Sequence, residues 1–218
     1  MPVPAWKQKA FTKMEKLAET QTPIHELIGR RWSPRAFSGQ PVEQDKLRSV
    51  FEAARWAPSS RNEQPWAYLV ATHEDPKGFE DLLDVLRNTN RAWAQKAPVL
   101  ILALAHTQLA KDATPNRLGL YDLGQATTNL VIQATSLGLV THQMGGFDAE
   151  AARERFHIPA GWEPVCVIAL GYPGNAKDLP EPLREREMGQ RRRKPVGEFV
   201  FSGTWGHSAS IEGPAGHK

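Results

Sequence analysis

The run PVLILALA, Pro98–Ala105, decides the fold. It carries no polar side chain, yet it is far shorter than the ~20 residues a membrane-spanning helix needs. Alternate side chains of a strand point to opposite faces, so an unbroken apolar run reads as a strand covered on both sides. Two further runs repeat the pattern at wide intervals, AYLVAT from Ala67 and PVCVIALGYP from Pro164. Helical patterns rather than tight turns separate the three, which predicts a mixed α and β protein with its sheet buried by helices.

Leu47, Val50, Phe51 and Ala54 recur at i, i+3, i+4 and i+7 and mark one face of an amphipathic helix within VEQDKLRSVFEAARW. The stretch HELIGRRWSPRAF predicts a short helix ended near Pro34, because the residue before proline disfavours helical dihedrals. The clearest helix is expected from Pro115 to about Leu137, with Thr114 as N-cap, Pro115 at the first helical position and Gly138 just past the end. It would be roughly 35 Å long. Asp122 is its only charge between Leu118 and Leu137, so it is either the central core element or part of a subunit interface. Asp148 is placed to cap AEAARERFH. Residues 1–20 read as an N-terminal helical extension and 202–218, rich in Gly and Ser, as a flexible tail, with neither repeat nor second domain boundary between them.

The 218 residues are 40% hydrophobic and carry a formal charge of +3, an ordinary composition for a folded domain. Basicity is concentrated in Arg184–Lys194, where six Lys or Arg face two Glu; that local +4 leaves the rest of the chain at −1. The single cysteine, Cys166, lies in an apolar run and reads as a buried structural thiol. The start MPVPAWKQKAF has no apolar signal segment, and the expected location is cytoplasmic. The seven histidines show no HExxH or paired spacing, so no metal site is expected. GxSxG, a Walker loop and a GxGxxG after a strand are all missing, which argues against a protein nucleophile and a Rossmann nicotinamide site.

Four segments remain that could hold an anionic, planar ligand. They are RRWSPRAF from Arg30, the loop APSSRNEQPW from Ala57, MGGFD from Met144, and the run Arg191–Lys194. Guanidinium forks match phosphate oxygens. A Gly-Gly pair lets backbone N–H groups approach a ligand with no Cβ in the way. In the loop, Pro58 and Pro65 stiffen the backbone on either side of Ser59, Ser60 and Asn62, lowering the entropy lost on binding, and Trp66 anchors it.

Taken in order, and with the helix DLGQATTNLVIQATSLGL between the second and third, these segments resemble the nitroreductase family of FMN-dependent oxidoreductases over about Ile24 to Pro195. The resemblance implies an α+β fold with a mainly antiparallel sheet covered by helices, spanning 21–201, in an intertwined homodimer whose FMN molecules are touched by both chains. It implies that Arg31, Trp32, Ser33 and Arg35 bind the phosphate and the pyrimidine edge of the ring, and that Arg191 and Arg193 bind the phosphate. By the same resemblance Ser59, Ser60 and Asn62 meet the ring from the partner subunit, and Gly145 and Gly146 lie near N5 and O4. No side chain is implied as a catalyst; Arg35 acts as an electrostatic stabiliser of the charge left by two-electron reduction. The implied reaction is a ping-pong transfer of hydride from NADH or NADPH, through flavin N5, to small electrophilic acceptors such as nitroaromatics or quinones.

Two positions depart from the family pattern: Trp32 stands where many members carry His, and Gln143-Met144-Gly145 where Pro-x-Glu is often found. The segment DVLRNTNRAWAQ, Asp84–Gln95, is expected to cover the pocket, and Trp93 and Phe147 read either as pocket walls or as packing. Two rival readings stand beside the reductase. One is other flavin chemistry, such as dehalogenation, flavin fragmentation or flavin binding without turnover. The other is a nucleic-acid-binding module resting on the basic window; no aromatic residues interleave the basic ones and no helix-turn-helix appears, so neither nucleic acid nor membrane is an expected partner.

Overall fold

The computed structural model describes residues 16–211. Residues 1–15 of the expected N-terminal extension and 212–218 of the expected tail lie outside them. Among the described residues the sheet has four strands, β1 (Trp66–Thr72), β2 (Val99–His106), β3 (Val140–Met144) and β4 (Trp162–Gly171), in the order β1-β2-β4-β3. Every pairing is antiparallel. The three runs recognised in the sequence are β1, β2 and β4. The fourth strand, VTHQM, was not expected, because its polar alternation lacks the apolar signature of its neighbours.

Strands β2 and β4 are central, and their alternating side chains feed two separate cores. Leu100, Leu102, Val167 and Ala169 face one layer, built from α3 (Pro76–Asp84), α4 (Asn88–Ala94) and α6 (Ala149–Arg155). Ile101, Ala103, Ile168 and Leu170 face the other, built from α2 (Gln44–Arg55) and α5 (Gly119–Ser136). Each Leu, Ile or Val among them, once buried, stabilises the fold by roughly 1.5–3 kcal/mol. Pro164 would remove a ladder bond from a central strand; the register shifts between Ala103 and Leu104, opposite it, as a bulge.

The amphipathic helix is α2, burying Leu47, Val50 and Ala54 with Phe51 packed at the margin. The short helix α1 (Glu26–Arg30) ends before Arg31, and Asp148 caps α6 by accepting from the Ala151 N–H at 3.0 Å. The long helix is shorter than expected: it starts at Gly119, not Pro115, so Thr114 is not its cap. Pro115 bridges to Gln108 and the Asn116 N–H donates to the Thr107 carbonyl, so tertiary pairing holds these residues in the loop after β2. At ~1.5 Å per residue the helix spans about 27 Å. Gly138, at φ 77°, follows its C-cap Leu137 as predicted.

Residues 16–20 are not helical; the Ala18 N–H pairs with the Gly29 carbonyl instead. Within the expected tail, residues 202–211 include a closed turn in which Phe201 bridges Ser208 and the Ser202 N–H donates to the His207 carbonyl. No helix among the described residues is long and apolar enough to cross a membrane.

Candidate functional site

Strand β3 is the floor of the site. His142 on this strand meets the Pro34 carbonyl with its Nδ1 at 3.0 Å, and two residues later Met144 leads into Gly145 and Gly146. Above it runs a strap, residues 29–36, that projects Arg31, Trp32, Ser33 and Arg35. The strap lies outside the named strands, and several of its backbone groups are satisfied by the C-terminal segment while the Gly174 N–H donates to the Ala36 carbonyl. Glu187, on α7 (Leu183–Met188), is 1% exposed and accepts the backbone N–H of Arg35 with both carboxylate oxygens at 3.0 Å and that of Ala36 at 3.1 Å. Its Oε2 lies 3.9 Å from the Arg35 guanidinium. Four residues on, Arg191 donates to the carbonyls of Lys16, Gly29 and Arg31 at 2.6–2.8 Å. Lys16 in turn donates to the Glu187 and Gly189 carbonyls and sits over the Trp32 ring.

The predicted basic residues from the two ends of the chain therefore do converge. Burial, followed by repulsion from Arg191 and Arg193, pulls the Arg31 guanidinium below its ordinary value; burial and Arg193 do the same to Arg191. Among the described residues no carboxylate lies within ion-pair distance of Arg31, Arg191 or Arg193. Three cations gathered without an anion repel one another, and a bound dianion such as a phosphate reverses the sign of that energy. Ser33 lies within the same group, its Oγ 3.3 Å from Arg31.

Gly145 is exposed, and a Cβ built on it meets nothing within 4 Å, so a flat ring has open access to this backbone. Gly146 differs: its carbonyl accepts from the Arg87 N–H and from Asn90 Nδ2, each at 3.0 Å, and a Cβ would meet Asn90 at 2.7 Å. The segment Asp84–Gln95 borders the glycines through Arg87 and Asn90, while Val85, Leu86, Trp93 and Ala94 sink into the core. Trp93 stacks on Phe37 and packs against His142, and Phe147 is 9% exposed; both are packing, not pocket wall.

Ser59, Ser60 and Asn62 lie elsewhere. Their loop enters β1, the edge strand opposite β3, so about three strand spacings, or ~14 Å, of sheet separate the two halves of the expected site. The loop is stiff for reasons beyond its prolines. Arg61, Asn62 and Gln64 all adopt positive φ, at 54°, 58° and 49°, a conformation that costs a non-glycine residue about 1–3 kcal/mol and concentrates at functional sites. The Ser60 N–H donates to Asp122 Oδ2 at 3.0 Å, and Ser59 Oγ accepts from the Gln64 N–H. Asp122, the lone charge of α5, is thus the loop's anchor; its isolation in an apolar stripe was the visible signal.

Burial holds the His142 pKa down at about 4, against the pull of the Pro34 hydrogen bond and with Arg35 adding to the depression. A carbonyl only accepts, so Nδ1 carries the proton of a neutral imidazole. Between about pH 6.5 and 4 the unfolded chain binds a proton that the folded chain refuses. Stability is therefore full above pH 6.5 and falls toward pH 4 by up to about 3 kcal/mol. We expect a lower urea midpoint at pH 5 than at pH 7, and a smaller difference in His142→Gln. Equal pH dependence in the two proteins would clear His142 of this role.

Fold and site define a class: an α+β protein with a cationic strap along one edge of a buried antiparallel sheet, suited to a phosphorylated planar ligand. The chain belongs to the nitroreductase family, whose sequence profile matches residues 28–95 and 83–172. It is 28% identical over 164 residues, 71% of this chain and 88% of the relative, to an Archaeoglobus fulgidus protein named provisionally as an NADH dehydrogenase/NAD(P)H nitroreductase. An uncharacterised 15.4 kDa protein of Mycolicibacterium smegmatis is 35% identical over 129 residues, 59% of this chain and 85% of the relative. Among solved structures, one described as an oxidoreductase containing FMN superposes with a TM-score of 0.83 at 30% identity, covering 89% of this chain and 98% of that one. A nitroreductase family protein of Clostridium difficile 630 superposes with a TM-score of 0.64 at 28% identity, covering 82% and 96%.

Proposed function

We infer that this chain is an FMN-dependent NAD(P)H oxidoreductase that works as a cytoplasmic homodimer on small electrophilic acceptors such as nitroaromatics and quinones. The observation that carries it is the cluster of Arg31, Arg191 and Arg193 without a carboxylate partner among the described residues, set beside a backbone left open at Gly145. FMN would supply the redox chemistry, accepting hydride from NADH or NADPH and passing it on.

The residues of the chain do the rest. Arg31, Ser33 and Arg193 would hold the phosphate, and Arg35 would supply a fixed cation that offsets the charge left by reduction. The Gly145 backbone, with no side chain in the way, would be open to the ring. Asn62, whose amide both donates and accepts, pairs the edge of a ring held mainly by the other protomer. The ~14 Å between the loop and the strap supports this division between two chains.

Purified protein should be yellow. Anaerobic NADH or NADPH should bleach it, and a nitroaromatic or quinone should restore the colour. A preparation that stays colourless after incubation with excess FMN would end this reading.

A further inference from the structure

We propose that Glu187 and Arg191 form a two-point clamp that positions the flavin-binding strap, and that Arg191 acts through the strap and not as a phosphate ligand. The inference rests on the flavin reading above and reassigns one of its residues.

The two side chains, four residues apart, take complementary halves of the strap backbone. The anion, Glu187, collects amides at the C-terminal end, from Arg35 and Ala36. The cation, Arg191, collects carbonyls at the N-terminal end, from Gly29 and Arg31, and adds that of Lys16. Neither set can be exchanged, because a carboxylate only accepts and a guanidinium only donates. Of Arg191's five N–H donors three are already committed to carbonyls, and both Nη1 donors are among them. Arg193 is placed otherwise: its one recorded bond is to the neighbouring Arg192 carbonyl, so its fork stays available for an anion.

A carboxylate 1% exposed is costly to bury unless it is hydrogen-bonded, and here its hydrogen bonds all come from the strap backbone, with the Arg35 guanidinium 3.9 Å away as an ion-pair partner. Lys16 closes the clamp from behind through the Glu187 and Gly189 carbonyls. The strap that results presents contacts both to the phosphate, through Arg31 and Ser33, and to the ring, through Arg35. A loosened clamp therefore harms both contacts at once, whereas a lost phosphate ligand harms one.

The test compares FMN with riboflavin, which has the same ring and no phosphate, by titrating the flavin-free dimer with each. In Glu187→Gln and Arg191→Gln, affinity for both flavins should fall by a similar factor, about tenfold to a hundredfold, leaving the FMN-to-riboflavin ratio near the native one. Arg193→Ala should instead lose affinity for FMN alone. Arg191→Lys keeps the charge but not the fork, so it should weaken both flavins even if Glu187→Gln fails to fold. A loss confined to FMN in the Arg191 variants, or native affinity in Arg191→Lys, would overturn the clamp and return Arg191 to the phosphate. A native chain that holds neither flavin would overturn the flavin reading itself.

Discussion

The Arg35→Gln protein is expected to fold normally, to hold FMN less tightly, and to shift the two-electron potential of the bound flavin downward by about 60 mV. The number follows from electrostatic preorganisation. Removing one fixed donor from a site where charge develops costs on the order of a hundredfold, and for a two-electron couple each tenfold is about 30 mV. Arg35 is suited to the task because its backbone is immobilised by Glu187 while its side chain, 26% exposed, reaches outward. The neighbouring carboxylate limits the effect, since Glu187 already offsets part of the guanidinium charge at 3.9 Å. Glutamine is the better probe because it removes the charge and keeps a polar, hydrogen-bonding head, though on a shorter stem. Both substitutions take the ion-pair partner away from Glu187, but alanine leaves no polar head beside the carboxylate and so mixes more stability loss into the redox effect. Full flavin content with an unchanged potential would remove Arg35 from the mechanism.

The sequence made the sheet legible where burial dictates composition. PVLILALA and PVCVIALGYP are apolar because both faces of β2 and β4 are covered, and a strand so placed has few other options. Strand β3 escaped because one side chain, His142, is kept for the strap and another, Gln143, faces solvent; polar residues erase the periodicity on which recognition depends. The start of α5, at Gly119, departs from the sequence pattern for a related reason. Thr114-Pro115 has the composition of a helix start, but the bridge from Pro115 to Gln108 is a tertiary fact that local propensity does not contain.

The candidate site shows the same division. Arg31, Ser33 and Arg35 were legible because basic residues flanking Ser and Pro form a recognisable motif, and Arg193 because it lies in the run of basic residues before Pro195. Glu187 was not, since in LREREMGQ it looks like one more member of a solvated charge run. Only folding reveals that α7 turns this one carboxylate inward while Glu185 stays exposed. Lys16 was hidden in the same way, in a segment with no motif.

Substituting Gly124 with arginine should convert the protein to a monomer and, with it, to a colourless chain. Gly124 lies on the outer face of α5, where a Cβ meets nothing within 4 Å, so the monomer has room for the new side chain. Glycine is also worth about 1 kcal/mol less than a good helix former at such a position, so the helix itself should gain. Yet this face is unlike ordinary surface: Leu120 and Tyr121 are 54% and 66% exposed, and with Gly124, Thr128, Asn129 and Pro58 they line a shallow hollow. Pro58 adjoins Ser59, so a chain seated in the hollow would lie against the strained loop that one protomer cannot bring to its own strap. An unpaired guanidinium in a dry interface costs several kcal/mol, and two-fold symmetry enters it twice, which would weaken association on the order of a thousandfold or more. Light scattering together with the flavin-to-protein absorbance ratio reads both consequences. If Gly124→Arg remained dimeric, the α5 face would not be the interface. If it became monomeric and stayed yellow, one chain would suffice to hold the flavin, and the division of the site between two protomers would be wrong.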